Sequence, residues 1–120
     1  MPVVIPVDSV LNTIKKVLGY EPAYEAFDED IMMHVNSVFS TLTQIGVGPI
    51  AGFSITGPEV GWSTFMGTAT NLQEVKTYMY LRVKLIFDTP ATSFVIKSME
   101  DQIKEYEWRL NLKEEEAPTP

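Results

Sequence analysis

The chain contains no cysteine. This excludes disulfide staples, thiolate zinc sites and thiol nucleophiles, and it agrees with synthesis in a reducing compartment. Histidine is nearly absent, with His34 standing alone among 120 residues. Basic residues are also scarce: nine Lys and Arg face sixteen Asp and Glu, for a formal charge of −7. Gripping nucleic acid requires several cations converging on phosphates. The one basic concentration here, Lys76, Arg82, Lys84 and Lys97, is sparse and interleaved with apolar residues. A basic nucleic-acid patch is therefore disfavoured, whereas an acidic surface that lets DNA pass without sticking is permitted. Long apolar runs are missing too, since none approaches the ~18 to 20 residues of a membrane span. The N-terminal "MPVVIPV" is short, uncharged and broken by Pro2 and Pro6, with no basic region before it and no cleavage site, so no signal peptide is expected. The expectation is a soluble protein that does not enter a membrane.

What is present points to one helical domain. A chain of this length buries about two thirds of its unfolded surface, and a hydrophobic fraction of 45% suffices for a packed core. Ser9 to Leu18 predicts a first helix, with Val10, Leu11, Ile14, Val17 and Leu18 on one stripe, Asp8 as N-cap and Gly19 as terminator. A second helix starts at Asp28, its expected N-cap, where Asp28, Glu29 and Asp30 set negative charge against the positive dipole end. Ile31, Val35, Val38, Leu42 and Ile45 recur on its apolar side until Gly46. Its other face, His34, Asn36, Ser37, Thr41 and Gln44, is polar but nearly uncharged, which suits either open surface or contact with another subunit.

From Val47 to Gly67 five glycines and two prolines exclude a long helix. Phe53 to Thr56 alternates as a short strand would, which allows a β-hairpin, and Trp62 with Phe65 fits a single helical turn. Helical spacing resumes from about Asn71 to Phe87, where Leu72, Val75, Met79, Val83 and Ile86 form one stripe. Tyr78, Leu81, Leu85 and Phe87 spread the apolar surface well beyond it. Asp88-Thr89-Pro90 closes this helix and starts the next, with Thr89 as N-cap and Pro90 in the first turn, or Thr92 in the capping role instead. The last helix runs to about Leu112, with Val95, Met99, Ile103, Tyr106 and Leu110 facing inward and Phe94 and Trp108 off that stripe. The predicted fold is mainly α: a small bundle of about four helices, a C-terminal αα-hairpin and a Gly-rich loop between the second helix and the hairpin. Residues 1–112 form the domain and 113–120 a flexible acidic tail.

The chemistry is thin. His34 and Asp30 lie one turn apart, but no third ligand or nucleophile joins them, and the Asp28-Glu29-Asp30 run is explained by its position at a helix start. The Gly-rich loop carries no Lys or Arg and neither phosphate-binding spacing, and no catalytic or calcium-loop motif occurs. No catalytic, cofactor-binding or metal-binding residue is assigned. Aromatics offer more, because Trp62, Phe65, Phe94, Tyr106 and Trp108 strain the capacity of so small a core, and aromatic residues are enriched at interfaces. Trp62, Phe65, Asp88, Pro90, Phe94, Trp108 and Arg109 are the interface candidates.

Three segments carry a family resemblance: "AFDEDIMMHVNSVFSTLTQIGVGP", "GFSITG" followed by the Trp62 to Phe65 pair, and above all "VKTYMYLRVKLIFDTPATSFVIKSMEDQIKEYEWRLN". Over about Phe27 to Asn111 the chain resembles the small head–tail connector, or adaptor, proteins of tailed bacteriophages. The resemblance implies a mostly helical virion protein in the neck, made in the host cytoplasm. It further implies assembly as a ring, commonly of twelve copies, beneath the portal protein, with a tail-side connector or stopper below it and DNA passing through the channel. It carries no active-site residue and implies no enzyme. A small acidic helical binding or regulatory module encoded by a phage would share the same composition.

Overall fold

Five helices follow one another in a computed structural model that describes residues 4–66 and 71–116, with side chains as far as residue 112. They are α1 (Val10–Leu18), α2 (Asp28–Gln44), the single turn α3 (Trp62–Met66), α4 (Leu72–Phe87) and α5 (Ser93–Glu116). The protein is mainly helical, and the last two helices form an antiparallel hairpin. α4 lies centrally, packed against α5, α2 and α1, while α1 also packs on α2. Central placement explains its broad apolar surface: Val75, Tyr78, Met79, Leu81 and Val83 are all buried. Ile86, expected on its inner stripe, is instead 56% exposed and borders a shallow groove with Ile103 and Glu107 of α5.

The helix ends follow capping chemistry, with three reassignments. Ser9, not Asp8, caps α1: its hydroxyl accepts from the Asn12 N–H at 3.2 Å. Asp8 reaches across to the start of α3, where its Oδ2 accepts the Ser63 N–H at 2.9 Å. Asp28 is the first residue of α2 rather than its cap, and Phe27 occupies the cap position without a side-chain bond. Thr92 takes the capping role at α5, accepting the Val95 N–H at 3.3 Å. Thr89 donates back to the Leu85 carbonyl at 2.7 Å, so it finishes α4. Gly19 ends α1 with φ 95°, the left-handed geometry that glycine adopts without strain.

The Gly-rich segment contains no strand among the described residues, and the hairpin expected around Phe53 to Thr56 does not form. Its sole ladder-like feature is one antiparallel bridge between Ser9 and Gly61. The extended backbone at Ile55 finds its partner in a side chain instead. Asn36 Oδ1 accepts the Ile55 N–H at 2.7 Å and Asn36 Nδ2 donates to the Ile55 carbonyl at 2.9 Å. One amide thus satisfies both backbone groups of a residue that is 2% exposed, and a second strand is not needed.

The segment then returns inward. Trp62 and Phe65 are buried, and Phe65 lies 4.7 Å from the Phe39 ring and 5.0 Å from the Phe53 ring, centroid to centroid. The Trp62 indole N–H donates to Thr13 Oγ1 at 2.8 Å. Gly48 lies so close beneath Phe65 that a Cβ there would collide with the ring, and its φ of 86° also favours glycine. The loop is thus a lid on the core, closed by four aromatic rings.

α5 continues to Glu116, past the expected end near Leu112, and residues 117–120 of the expected tail lie outside the described residues. At 24 residues it is roughly 36 Å long, close to the longest dimensions of a body measuring 43 × 41 × 20 Å. Among its described side chains Met99, Ile103 and Leu110 are buried, and Val95, expected to face inward, is 42% exposed. Asn111 Nδ2 fastens its far end by donating to the Ile45 carbonyl at 3.3 Å.

Candidate assembly surface

The hairpin is held together by a polar link inside an apolar contact. The buried Tyr78 hydroxyl donates to Glu107 Oε2 at 2.7 Å and accepts from Arg82 at 2.7 Å, while Arg82 and Glu107 stand 3.6 Å apart. Burial, then the bond to Glu107, pushes the Tyr78 phenol up to about 12. This triad fixes the register of α5 on α4, so the outward direction of every α5 side chain is set.

Outward lie Phe94 and Trp108, fourteen residues or nearly four helical turns apart and therefore on one side of α5. Both are large apolar groups left in water, Phe94 at 82% and Trp108 at 65% exposure. Between them runs a shallow groove of about 350 Å³ bordered by Phe94, Lys97, Ser98, Asp101, Gln102 and Glu105. Its charges are partly matched within the helix, Lys97 with Asp101 at 2.7 Å and Glu105 with Arg109 at 2.7 Å. Such exposed pairs add little to stability, and their value lies in orienting charge on a surface.

The seven interface candidates separate into groups. Phe94, Trp108 and Arg109 share the outer side of α5 or its edge. Asp88 is exposed at the hairpin turn, where its carboxylate pairs with Lys84 at 2.7 Å, and Pro90 is half-buried beside it. Trp62 and Phe65 do not belong to the surface at all, because the loop that carries them folds them into the core. The loop's exposed apolar group is Ile50, fully solvated at its tip.

Two structural ties are not visible in the sequence. Asn36 pins the lid. Lys15 on α1 is 1% exposed, donates to the Pro22 carbonyl at 2.8 Å and makes an ion-pair contact of 2.7 Å with Asp28 Oδ1, tying the α1–α2 connection down. That connection holds Tyr20, Tyr24 and Phe27, which meet Phe87 of α4 in a partly exposed cluster of rings. His34 borders this cluster, with its ring 6.4 Å from Phe87. Among the described residues no group of three or more His, Asp or Glu is placed to hold a metal ion, and no helix is long and apolar enough to cross a membrane.

The body is mainly helical, with an αα-hairpin whose second helix leaves Phe94 and Trp108 exposed. A family model for phage connector proteins matches residues 10–117, nearly the whole chain, and the protein belongs to that family. It is accordingly a structural connector component of a phage virion. Among curated proteins and among solved structures, none matches the chain.

Proposed function

We propose that the protein is a head–tail adaptor: copies assemble into a ring between the portal and the tail-side connector, and DNA passes through the ring. The carrying observation is the outer side of α5, where Phe94 and Trp108 stay in water on a helix whose register the Tyr78 triad has already fixed. Two large solvated rings on a rigid helix suit burial against a partner better than solitary life. A closed ring is a heterologous assembly, so each copy needs a second, different patch. Ile50 at the tip of the loop and the hairpin turn at Asp88 and Pro90 supply the candidates for it. The charge of −7 favours a channel that DNA crosses without adhering. Twelve copies, direct contact with the portal and a role for the end of α5 in that contact all belong to this proposal.

Removal of the two rings tests it. Phe94→Ala with Trp108→Ala should leave the monomer's unfolding midpoint nearly unchanged, since both side chains are exposed. Incorporation into phage particles, measured by densitometry against the portal band, should fall by roughly tenfold or more. Full incorporation of the double variant would remove α5 from the interface.

A further inference from the structure

The corner between α1 and α2 holds aromatic rings and carboxylates in water together. Tyr20, Tyr24 and Phe27 lie 5.6 to 5.9 Å from one another, centroid to centroid, and Tyr20 and Phe27 rest against Phe87 of α4. Tyr24 remains 49% exposed and Phe27 37%. Glu21, Glu25, Glu29 and Asp30 alternate with these rings along the chain. All four are exposed, and none makes an ion pair among the described residues.

The cations of the flanking helices are engaged elsewhere. Lys15 is buried against Asp28 and the Pro22 carbonyl, and Lys84 holds Asp88. No Lys or Arg occurs between Lys16 and Lys76. The connection also presents its groups in a fixed arrangement. The Tyr24 N–H donates to the Glu21 carbonyl at 3.0 Å and the Asp28 N–H to the Glu25 carbonyl at 3.2 Å, making two turns that Lys15 secures through Pro22 and Asp28. A display ordered in advance costs a partner less on binding.

Aromatic faces and carboxylates attract the same chemistry. A planar guanidinium suits both, because it stacks on a ring while its N–H groups donate to an acid. We propose that this corner docks a basic segment of another virion protein, with an Arg side chain on the Tyr24 ring and its charge shared between Glu21 and Glu25. A second copy of this chain offers no such segment. Five of its nine cations, Lys15, Arg82, Lys84, Lys97 and Arg109, are in ion pairs within the subunit, and Lys76 lies 5.9 Å over the Trp62 ring. The others, Lys16, Lys104 and Lys113, are scattered along the sequence. The proposal rests on the protein's place in the virion, not on the ring, and adds a surface separate from α5.

A capped octapeptide of alternating Arg and Gly serves as the probe, titrated into the isotope-labelled whole chain and followed by backbone amide shifts. Shifts should concentrate in residues 20–30 and around Phe87. The matching Lys–Gly peptide should bind several-fold more weakly, because an ammonium group does not stack. Tyr24→Ala, at a half-exposed position, should keep the natural circular dichroism and weaken the Arg peptide by roughly tenfold. Glu21→Gln with Glu25→Gln should also weaken it and flatten its salt dependence. Shifts spread over all acidic parts of the chain, or undiminished binding by Tyr24→Ala, would mean that net charge alone attracts the peptide, and the site would be overturned. In particles, benzoylphenylalanine in place of Tyr24, irradiation and mass spectrometry identify the neighbour. A cross-link to an Arg- or Lys-bearing segment of a different virion protein is expected. A cross-link to a second copy of this chain, to a segment without cations or to nothing overturns the proposal. None of these outcomes touches the ring reading, which depends on copy number and on α5.

Discussion

The two tryptophans occupy opposite environments, Trp62 fully buried in a Gly-rich loop and Trp108 65% exposed on the longest helix. Both stood among the interface candidates of the sequence, and only Trp108 is exposed. Loops run over surfaces because buried backbone must find hydrogen-bond partners, and this loop goes inward because its partners are supplied. Asn36 satisfies Ile55, Val60 and Asp8 exchange backbone bonds with Val10 and Trp62, and Thr13 receives the indole. α5 presents the reverse case. Between its ends its backbone is satisfied internally, so nothing obliges it to be covered, and it extends beyond the core that Met99, Ile103 and Leu110 reach. Backbone satisfaction decides which segments can be buried, and the extent of the core decides how far a helix is covered.

Truncating each tryptophan should give the widest separation between the two regions. Trp62→Ala should destabilise the fold by about 3 to 5 kcal/mol, because it removes a fully buried ring against which Phe39 packs. Trp108→Ala should change stability by less than about 0.5 kcal/mol, as expected of a solvated position. Urea unfolding of both variants measures the contrast, and equal losses would mean that Trp108 is covered even in the isolated chain.

The lid can be broken more narrowly through its clamp. Asn36→Ala removes a donor and an acceptor that the buried Ile55 cannot replace from its own segment. A cost of about 1 to 3 kcal/mol is expected. The amide protons of the Phe53–Ile55 stretch should exchange faster with solvent than those of α5, as hydrogen exchange can read residue by residue. Equal protection of the two would show that the loop is held by its rings alone.

Much of this architecture was legible from spacing. All four long helices appear where the apolar period places them, and the bend at Asp88 to Pro90 forms because Thr89 and Thr92 satisfy the backbone on either side of it. The outward position of Phe94 and Trp108 follows from their phase relative to Met99, Ile103 and Leu110. What the period could not carry were tertiary hydrogen bonds between distant segments. Asn36 reads as one more polar residue on a polar face, since the residue it serves lies nineteen positions away. Lys15 reads as solvated because its countercharge, Asp28, belongs to the next helix. Trp62 and Phe65 read as surplus because Gly48, which lets the backbone approach Phe65 closely, resembles any loop glycine. The proposed assembly surface was therefore half visible: its helical part obeys a local rule, and its loop part depends on contacts that no local rule records.

The register of α5 offers the finest test of the same contrast, because it depends on a proton. Tyr78 ionises near 10.0 in an unfolded chain but only at about 12 in the fold, where burial and Glu107 both oppose the phenolate. Between those values the unfolded chain has released a proton that the folded chain keeps. The raised pKa thus contributes stability that is complete below pH 10 and is lost as pH climbs through 12. In Tyr78→Phe this source of alkaline sensitivity disappears. At neutral pH the variant should lose only about 1 kcal/mol, since Arg82 and Glu107, already 3.6 Å apart, can close on each other. Urea midpoints at pH 7, 10 and 11 measure both effects, and the natural chain should fall more steeply across the upper interval than the variant. Parallel curves would mean that the phenol meets water, and that the hairpin's register is set by Met99, Ile103 and Leu110 without it.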